Sequence, residues 1–312
     1  MFTEVEFQNF RGFADLKLQG LKRVNLVVGR NNAGKTSLLE GIALLSQPEK
    51  IDQLPHLLRP SFGDVNQRYF RWLIRDQSTA GRTILSSNDS REVIFQKLTQ
   101  GGNHPPERRN FWNNGLFLAF AASQTKQVPF SVVSVLPRSP EELVRLFASA
   151  VSKRGGEERM DSLFHELDER IRKVRVIPNQ DGLHVMFDFN LSEMVPLSQV
   201  GQGAHRLLTI FSELIAGDAK VCIIDEIENG IHHTMLQQVW AGIATAAANL
   251  DVQVFATTHS HECIEAAHEA FSERDNYDFS VVQLFRLDEG VQGRVLDRKH
   301  IEAALAGEID LR

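Results

Sequence analysis

Residues 29–36 read Gly-Arg-Asn-Asn-Ala-Gly-Lys-Thr, which sets two glycines, a lysine and a hydroxyl in the spacing GxxxxGK[ST]. These residue types in this order suit the holding of phosphate. Gly29 and Gly34 let the backbone wrap close to phosphate oxygens, while the N–H groups and positive dipole end of the following helix favour an anion. Lys35 would reach the β- and γ-phosphates of a nucleotide, and Thr36 would offer its hydroxyl to Mg²⁺. Asn31, Asn32 and Ala33 complete the loop and Ser37 follows it, so the stretch is a candidate nucleotide-binding segment. A glycine-rich turn ahead of a helix would share the pattern, but the flanks favour the phosphate loop. Residues 21–28 form an apolar, β-branched run ending at Gly29, and residues 37–45 carry leucines at helical spacing.

Three further places read as chemistry. Residues 221–226, VCIIDE, end an apolar strand in two carboxylates. Asp225 would hold Mg²⁺ directly or through water, and Glu226 would position or deprotonate an attacking water; an acidic pair capping a helix is the plain alternative. Residues 252–260, VQVFATTHS, put His259 directly after a β-rich run, where an imidazole could sense the γ-phosphate or that water. A loop histidine without a special role is the alternative there. Metal binding by His232, His233, His259 and His261 is conceivable, but HH and HxH on loops are weak metal spacings. Residues 196–208, PLSQVGQGAHRLL, place a serine and two glycines at a helix start, a second anion-binding terminus. One nucleotide needs one phosphate loop. The second terminus is therefore most simply explained by capping the γ-phosphate of a nucleotide on a second subunit, with Ser198, Gly201, Gln202 and Gly203 as donors. A plain glycine helix start is the alternative.

Such residues need a scaffold that delivers strand ends to one edge. Strands at 5–7, 16–18, 221–224 and 252–258, helices at 204–217, 234–249 and after His261, a closing hairpin and a short helix near 298–306 read as α/β. Strands separated by helices imply right-handed crossovers and a mostly parallel sheet with ligands beyond its carboxyl ends. Between about residues 49 and 189 the pattern is mixed. A helix is expected over 66–75, strands over 83–85, 92–98 and 131–136, a capped helix from Ser139-Pro140-Glu141-Glu142, a helix over 157–173, and strands over 174–177 and 184–189. This segment is expected to be an inserted mixed α/β subdomain within a single domain.

Composition restricts the class. With 42% hydrophobic and 24% charged residues the 312-residue chain is of globular type, and no apolar stretch approaches the roughly 20 residues that span a bilayer. The N-terminus MFTEVEFQNF lacks the basic and apolar regions of a secretory signal, and Cys222 and Cys263 form no CxxC pair, so a cytoplasmic protein without membrane attachment is expected. The net charge of −6 hides an asymmetry, because residues 59–175 hold 19 Lys/Arg against 13 Asp/Glu. Arginines there interleave with aromatics in QRYFRWLIR (67–75) and ERRNFW (107–112), which suits a nucleic-acid or acidic-partner surface, or equally a solvated face over a normal core.

The order GRNNAGKTS, LSQVGQG, IIDEIENGIH and ATTHS, after the opening VEFQNFRGF, resembles the ABC-type ATPase heads of the RecF, SMC and OLD (overcoming lysogenization defect) group. The resemblance covers roughly residues 1–48 and 190–312. It implies a P-loop NTPase of ABC-head type: a mostly parallel sheet flanked by helices, an N-terminal antiparallel β portion and a mixed, partly helical insertion. It assigns Lys35 and Thr36 to Walker A, Gly201, Gln202 and Gly203 to the signature, Asp225 and Glu226 to Walker B, residues 229–232 to the D-loop and His259 to the histidine switch. Asn9 and Arg11 would lie near the nucleotide. GQG in place of LSGGQ, and His232 in place of the D-loop aspartate, resemble the OLD-like members. From its length the chain is expected to carry neither an SMC coiled-coil arm nor the TOPRIM nuclease domain of full-length OLD proteins. The implied protein is thus a stand-alone ATPase with ATP and Mg²⁺ as cofactors. It would dimerise or form higher homo-oligomers around ATP and control a separate effector such as a nuclease, in phage defence or DNA maintenance. The competing expectations are a transporter ATP-binding subunit, a small-molecule P-loop kinase, and an ATP-stabilised scaffold with little turnover.

Overall fold

Strands β1 (Glu4–Phe10) and β2 (Phe13–Gln19) bury only Val5, Phe7 and Phe10, and Phe13, Leu16 and Leu18, whereas β3 (Val24–Val28) is buried at every position. The first pattern belongs to a sheet with one face on a core, the second to a strand covered on both faces. The computed structural model, which describes residues 1–59, 73–75, 82–97, 110–113, 116–121, 127–180, 182–217, 219–288, 290–307 and 309–311, bears out both readings. After β3 come α1 (Lys35–Ser46), α2 (Leu54–Leu58), β4 (Arg82–Ser87), β5 (Glu92–Lys97), β6 (Asn110–Asn113), β7 (Leu116–Ala121) and β8 (Phe130–Val133). Helices α3 (Pro140–Val151) and α4 (Gly156–Leu167) lead to β9 (Lys173–Asn179), β10 (Gly182–Asp188), β11 (Val195–Pro196), α5 (Leu197–Val200) and α6 (Gln202–Ala216). The chain continues through β12 (Val221–Ile224), α7 (Leu236–Leu250), β13 (Gln253–Thr257), α8 (His261–Ser272), β14 (Phe279–Leu287), β15 (Gly290–Leu296) and α9 (Arg298–Ala306).

The central sheet has the order β15-β14-β3-β13-β12-β8, parallel throughout except for the β14–β15 hairpin. An antiparallel sheet, β2-β1-β4-β5-β7-β6, faces it, and α1 lies in the core between them, with Leu38, Leu39 and Ile42 packed among Phe7 of β1, Ile223 of β12 and Phe255 of β13. Cover on both sides leaves α1 buried nearly all round, its polar Ser37 and Glu40 included. The approach is close enough that a Cβ on Gly41 would stand 2.7 Å from the Phe7 ring. On the other face of the parallel sheet, α3, α4, α6, α7 and α8 bury Phe147, Phe164, Phe211, Trp240 and Ile264 in a second core.

The expected middle segment is distributed rather than set apart. Strands β4, β5, β7 and β6 extend the N-terminal antiparallel sheet, and β8 becomes the edge of the central sheet, with Ser131 opposite Cys222. The division into two flanks and one separate insertion therefore does not describe residues 130–133: a four-residue apolar strand has no local signal for which sheet it joins. The strand expected at 131–136 ends at Val133, and the helix expected over 157–173 ends at Leu167, where Asp168 turns extended (φ −151°) and Lys173 already opens β9. Ser139 and Glu142 form the expected reciprocal cap. Of the helix expected over 66–75, only Leu73, Ile74 and Arg75 are among the described residues, and Leu73 and Ile74 are buried. The basic aromatic stretches lie largely outside the described residues. No described helix is long and apolar enough to cross a membrane.

Candidate active site

The carboxyl ends of β3, β12 and β13 meet because their backbones are stitched in register beyond the strands themselves. Thr258 donates to the Val27 carbonyl (3.2 Å), Ile227 to that of Thr257 (3.0 Å) and Asp225 to that of Val133 (3.0 Å). After β3 the chain turns through Gly29 at φ +147°, where a Cβ would collide with the Leu284 carbonyl oxygen, and through Gly34 at φ +95° into α1. Asn32 adopts φ +63° between them. Asn31, Asn32, Gly34, Lys35, Thr36 and Ser37 line a cavity of about 550 Å³, together with His259. Gly29 and Ala33 support it from behind: the Gly29 carbonyl accepts from Lys35 Nζ (2.6 Å), and the Ala33 N–H donates to Arg30 (3.1 Å).

Lys35 is the buried cation of the site. Its ammonium also donates to the Arg30 carbonyl (3.3 Å) and lies 3.3 Å from His259 Nδ1. Burial lowers its pKa, and Asp225, Glu226 and Glu228 oppose that shift. Asp225 is 8% exposed and accepts from Thr257 Oγ1 at 2.7 Å. Its pKa is raised, chiefly by burial, against the pull of Thr257, Arg206, Lys35 and Arg59. The buried Asp225 carboxylate at the end of β12 and Thr36 on the cavity wall offer hard oxygen donors of the kind that suits Mg²⁺. Glu226 follows in the left-handed region (φ +50°), its N–H donating to Thr257 Oγ1 (2.8 Å) and its half-exposed carboxylate 3.7 Å from His259 Nε2. Lys35, the Asp225–Glu226 pair and His259, from three distant segments, thus form one constellation of a cation, two carboxylates and an imidazole at the sheet edge.

Several contributors escaped the sequence reading. Glu228 accepts from the His259 N–H at 2.7 Å and fixes the loop that carries the imidazole. Arg206 of α6 donates to the carbonyls of Ser134, Asp225 and Glu226, tying the helix that Gly201, Gln202 and Gly203 open to the ends of β8 and β12. Glu40, fully buried on α1, accepts from Arg11 (2.9 Å) and from Arg59 Nε (2.8 Å), and Arg59 also donates to Ser37 Oγ (3.3 Å). Nothing in the spacing of these residues marks them; only the QNFRGF motif pointed toward Arg11. Arg11 packs against α1 rather than lining the cavity, and the Asn9 carbonyl accepts from Thr83 Oγ1 (2.7 Å).

Ser198, Gly201, Gln202 and Gly203 are not among the described residues that line the phosphate cavity. Gly201 turns at φ +108° between α5 and α6, and Ser198, Gly201 and Gln202 are exposed. Gly203 abuts the 229–232 loop, where a Cβ would stand 2.9 Å from the Gly230 carbonyl oxygen.

A parallel sheet facing an antiparallel one across the phosphate-loop helix, an acidic strand end and a glycine helix start define a P-loop ATPase head of the RecF/SMC type. Solved structures carry the same fold. An SMC head bound to the C-terminal winged-helix domain of ScpA aligns over 98% of this chain and 99% of that one (TM-score 0.58, 13% identity). The SMC head of Thermotoga maritima aligns over 95% and 99% (TM-score 0.52, 12% identity). Residues 84–265 match the family described as "AAA domain, putative AbiEii toxin, Type IV TA system", and the chain belongs to that family. Residues 1–97 match the AAA ATPase domain. An "ATP/GTP phosphatase" of Helicobacter pylori is 25% identical over 88% of this chain and 90% of its own length. A "DNA double-strand break repair Rad50 ATPase" of Pyrococcus abyssi is 24% identical over 59% of this chain, which spans 19% of that much longer protein.

Proposed function

We propose that this AAA-type ATPase binds ATP with Mg²⁺, hydrolyses it, and closes two copies face to face on two nucleotides to control a separate effector protein such as a nuclease. The convergence of Lys35, Asp225, Glu226 and His259 at one sheet edge carries the reading. Lys35 and the amides of residues 31–37 hold the β- and γ-phosphates. Asp225 and Thr36 would hold Mg²⁺, which when bound neutralises charge on those phosphates. Glu226 takes a proton from water as the water oxygen attacks the γ-phosphorus; the bond from that phosphorus to the β–γ bridging oxygen breaks, leaving ADP and phosphate. His259 can exchange its contact with Lys35 for the γ-phosphate and so report its presence.

The exposed Ser198, Gly201 and Gln202, standing apart from the phosphate cavity, support a donor set that serves a partner's nucleotide. The name of the Helicobacter pylori relative supports hydrolysis, and those of the matched family and the Rad50 relative support phage defence or DNA maintenance as the setting. The OLD-like subclass, a cytoplasmic location and nucleic-acid contact through the basic middle segment belong to the same proposal. Lys35→Ala should abolish ATP binding, and Glu226→Gln should keep ATP bound while lowering kcat by at least about 10²-fold. Equilibrium ATP binding and phosphate release measure both. A folded Lys35→Ala protein with wild-type ATP affinity would refute the reading, and wild-type turnover in Glu226→Gln would remove Glu226 as the base. If the wild type turns over no faster than Glu226→Gln, the protein is an ATP-stabilised scaffold.

A further inference from the structure

The β14–β15 hairpin runs on past the end of β3. The last pairing between them is Gln283 with Val28, so Arg286 stands three residues, roughly 10 Å, beyond the point where β3 enters the phosphate loop. The Leu284 carbonyl already touches the Gly29 turn. Two residues further along the same strand face, Arg286 pairs across the hairpin with Val291, and both line the cavity with Gly12. Val291 is anchored there, its N–H donating to the Gly12 carbonyl (3.3 Å) and its side chain 3.8 Å from where a Cβ on Gly34 would stand. The cavity therefore has two ends of different chemistry. Lys35, Thr36 and Ser37 form the end for phosphates, and an apolar floor with one guanidinium overhangs it from the hairpin.

No Phe, Tyr or Trp is among the described residues lining this cavity. Its three planar cationic or imidazole groups are differently engaged. His259 is held by Lys35 and Glu226, and Arg59 is held by Glu40 and Ser37. The exposed Arg286 side chain makes no hydrogen bond or ion pair with any described residue. A guanidinium plane on a rigid strand, one nucleoside's length from the phosphate loop and backed by a valine, is a stacking surface for a nucleobase.

We propose, on the basis of the nucleotide-binding reading above, that Arg286 stacks on the base of the bound nucleotide over the Val291–Gly12 floor, and that this wall accepts adenine and guanine alike. A stack reads the π-face and not the hydrogen-bonding edge, so both purines satisfy it, while a smaller pyrimidine ring covers less of it.

Equilibrium binding of ATP, GTP, CTP and inorganic tripolyphosphate to the wild type, Arg286→Ala, Arg286→Trp and Arg286→Lys tests this. The wild type should bind ATP and GTP within about threefold of each other and CTP more weakly. Arg286→Ala should weaken ATP and GTP by a similar factor of about five- to tenfold and leave tripolyphosphate unchanged. Arg286→Trp should restore purine binding, and Arg286→Lys, which keeps the charge without the plane, should not. An equal loss of tripolyphosphate in Arg286→Ala would make Arg286 a phosphate ligand and overturn the proposal, as would unchanged ATP and GTP affinity. If the wild type binds neither tripolyphosphate nor nucleotide, the nucleotide-binding reading itself fails; loss of tripolyphosphate in Lys35→Ala upholds that reading whatever Arg286 does.

Discussion

Asp225 shows how one residue trades stability for chemistry. Burial raises its pKa, so the folded chain favours the neutral acid. The stability that Asp225 contributes is complete below the unfolded carboxylate pKa and is lost as pH rises through the raised folded value. At neutral pH the ionised carboxylate therefore weakens the fold until a cation offsets it. Asparagine keeps the oxygen that accepts from Thr257 and removes the charge. Asp225→Asn should thus raise Tm near pH 7.5, by about 2–4 °C for each kcal/mol relieved, and should abolish both Mg²⁺-dependent hydrolysis and the rise in Tm that Mg²⁺ with ATP produces in the wild type. Thermal melts across pH 5–8 measure this. A variant that melts below the wild type at neutral pH would show that the carboxylate is a structural member of the site instead.

Helix α6 and the β12 end are separate elements joined at the site through Arg206. Three carbonyls, from Ser134, Asp225 and Glu226, converge on one guanidinium, and Glu226 holds a left-handed backbone beside it. A residue with φ near +50° persists only where its surroundings over-determine it. The fork supplies part of that constraint and links the start of α6, with Gly201 and Gln202, to the carboxylate that the proposed mechanism uses to activate water. Arg206 is accordingly a positioning residue. Arg206→Ala should lower kcat by about tenfold or more while changing KM for ATP by less than about threefold, and Arg206→Lys should not recover it, because an ammonium cannot span three carbonyls in fixed directions. Steady-state kinetics well below Tm separate the outcomes. A rise in KM with unchanged kcat would mean that Arg206 serves ground-state binding alone.

At the scale of the whole molecule, each active site is expected to need two chains. In the Glu226→Gln background ATP should shift the protein to a dimer, or to assemblies of dimers, and ADP should not. A bulky residue at Gly203 is a poor probe of this, since a Cβ there already meets the Gly230 carbonyl of the same chain. The exposed Ser198 is cleaner: Ser198→Trp should block the ATP-driven shift while leaving ATP on Lys35. A mixed dimer of Lys35→Ala with Ser198→Trp should keep one intact composite site if the two residues serve the same nucleotide from different chains. Sedimentation velocity gives the assembly state. Protein that remains monomeric at all concentrations with full turnover would sink the composite site.

The motifs of this chain were legible because each is local. Gly29 and Gly34 take backbone angles that other residues resist, β3, β12 and β13 are buried at every position, and the polar residues directly after them could only emerge at one sheet edge. Contiguous segments of eight to ten residues carry that information, so the phosphate loop, Asp225, Glu226 and His259, and the α/β class they require, followed from residue type and order. The partners of those residues did not. Glu228 under His259, Arg206 across three carbonyls, Glu40 between Arg11 and Arg59, and Arg286 above the cavity are charged residues in ordinary turn, helix or strand contexts. The edge position of β8, and the union of β4 to β7 with the N-terminal sheet, likewise depend on pairings between distant segments. Backbone conformation is written in short stretches of sequence, whereas the burial that gives a charge its partner and a strand its neighbour is a property of the packed chain alone.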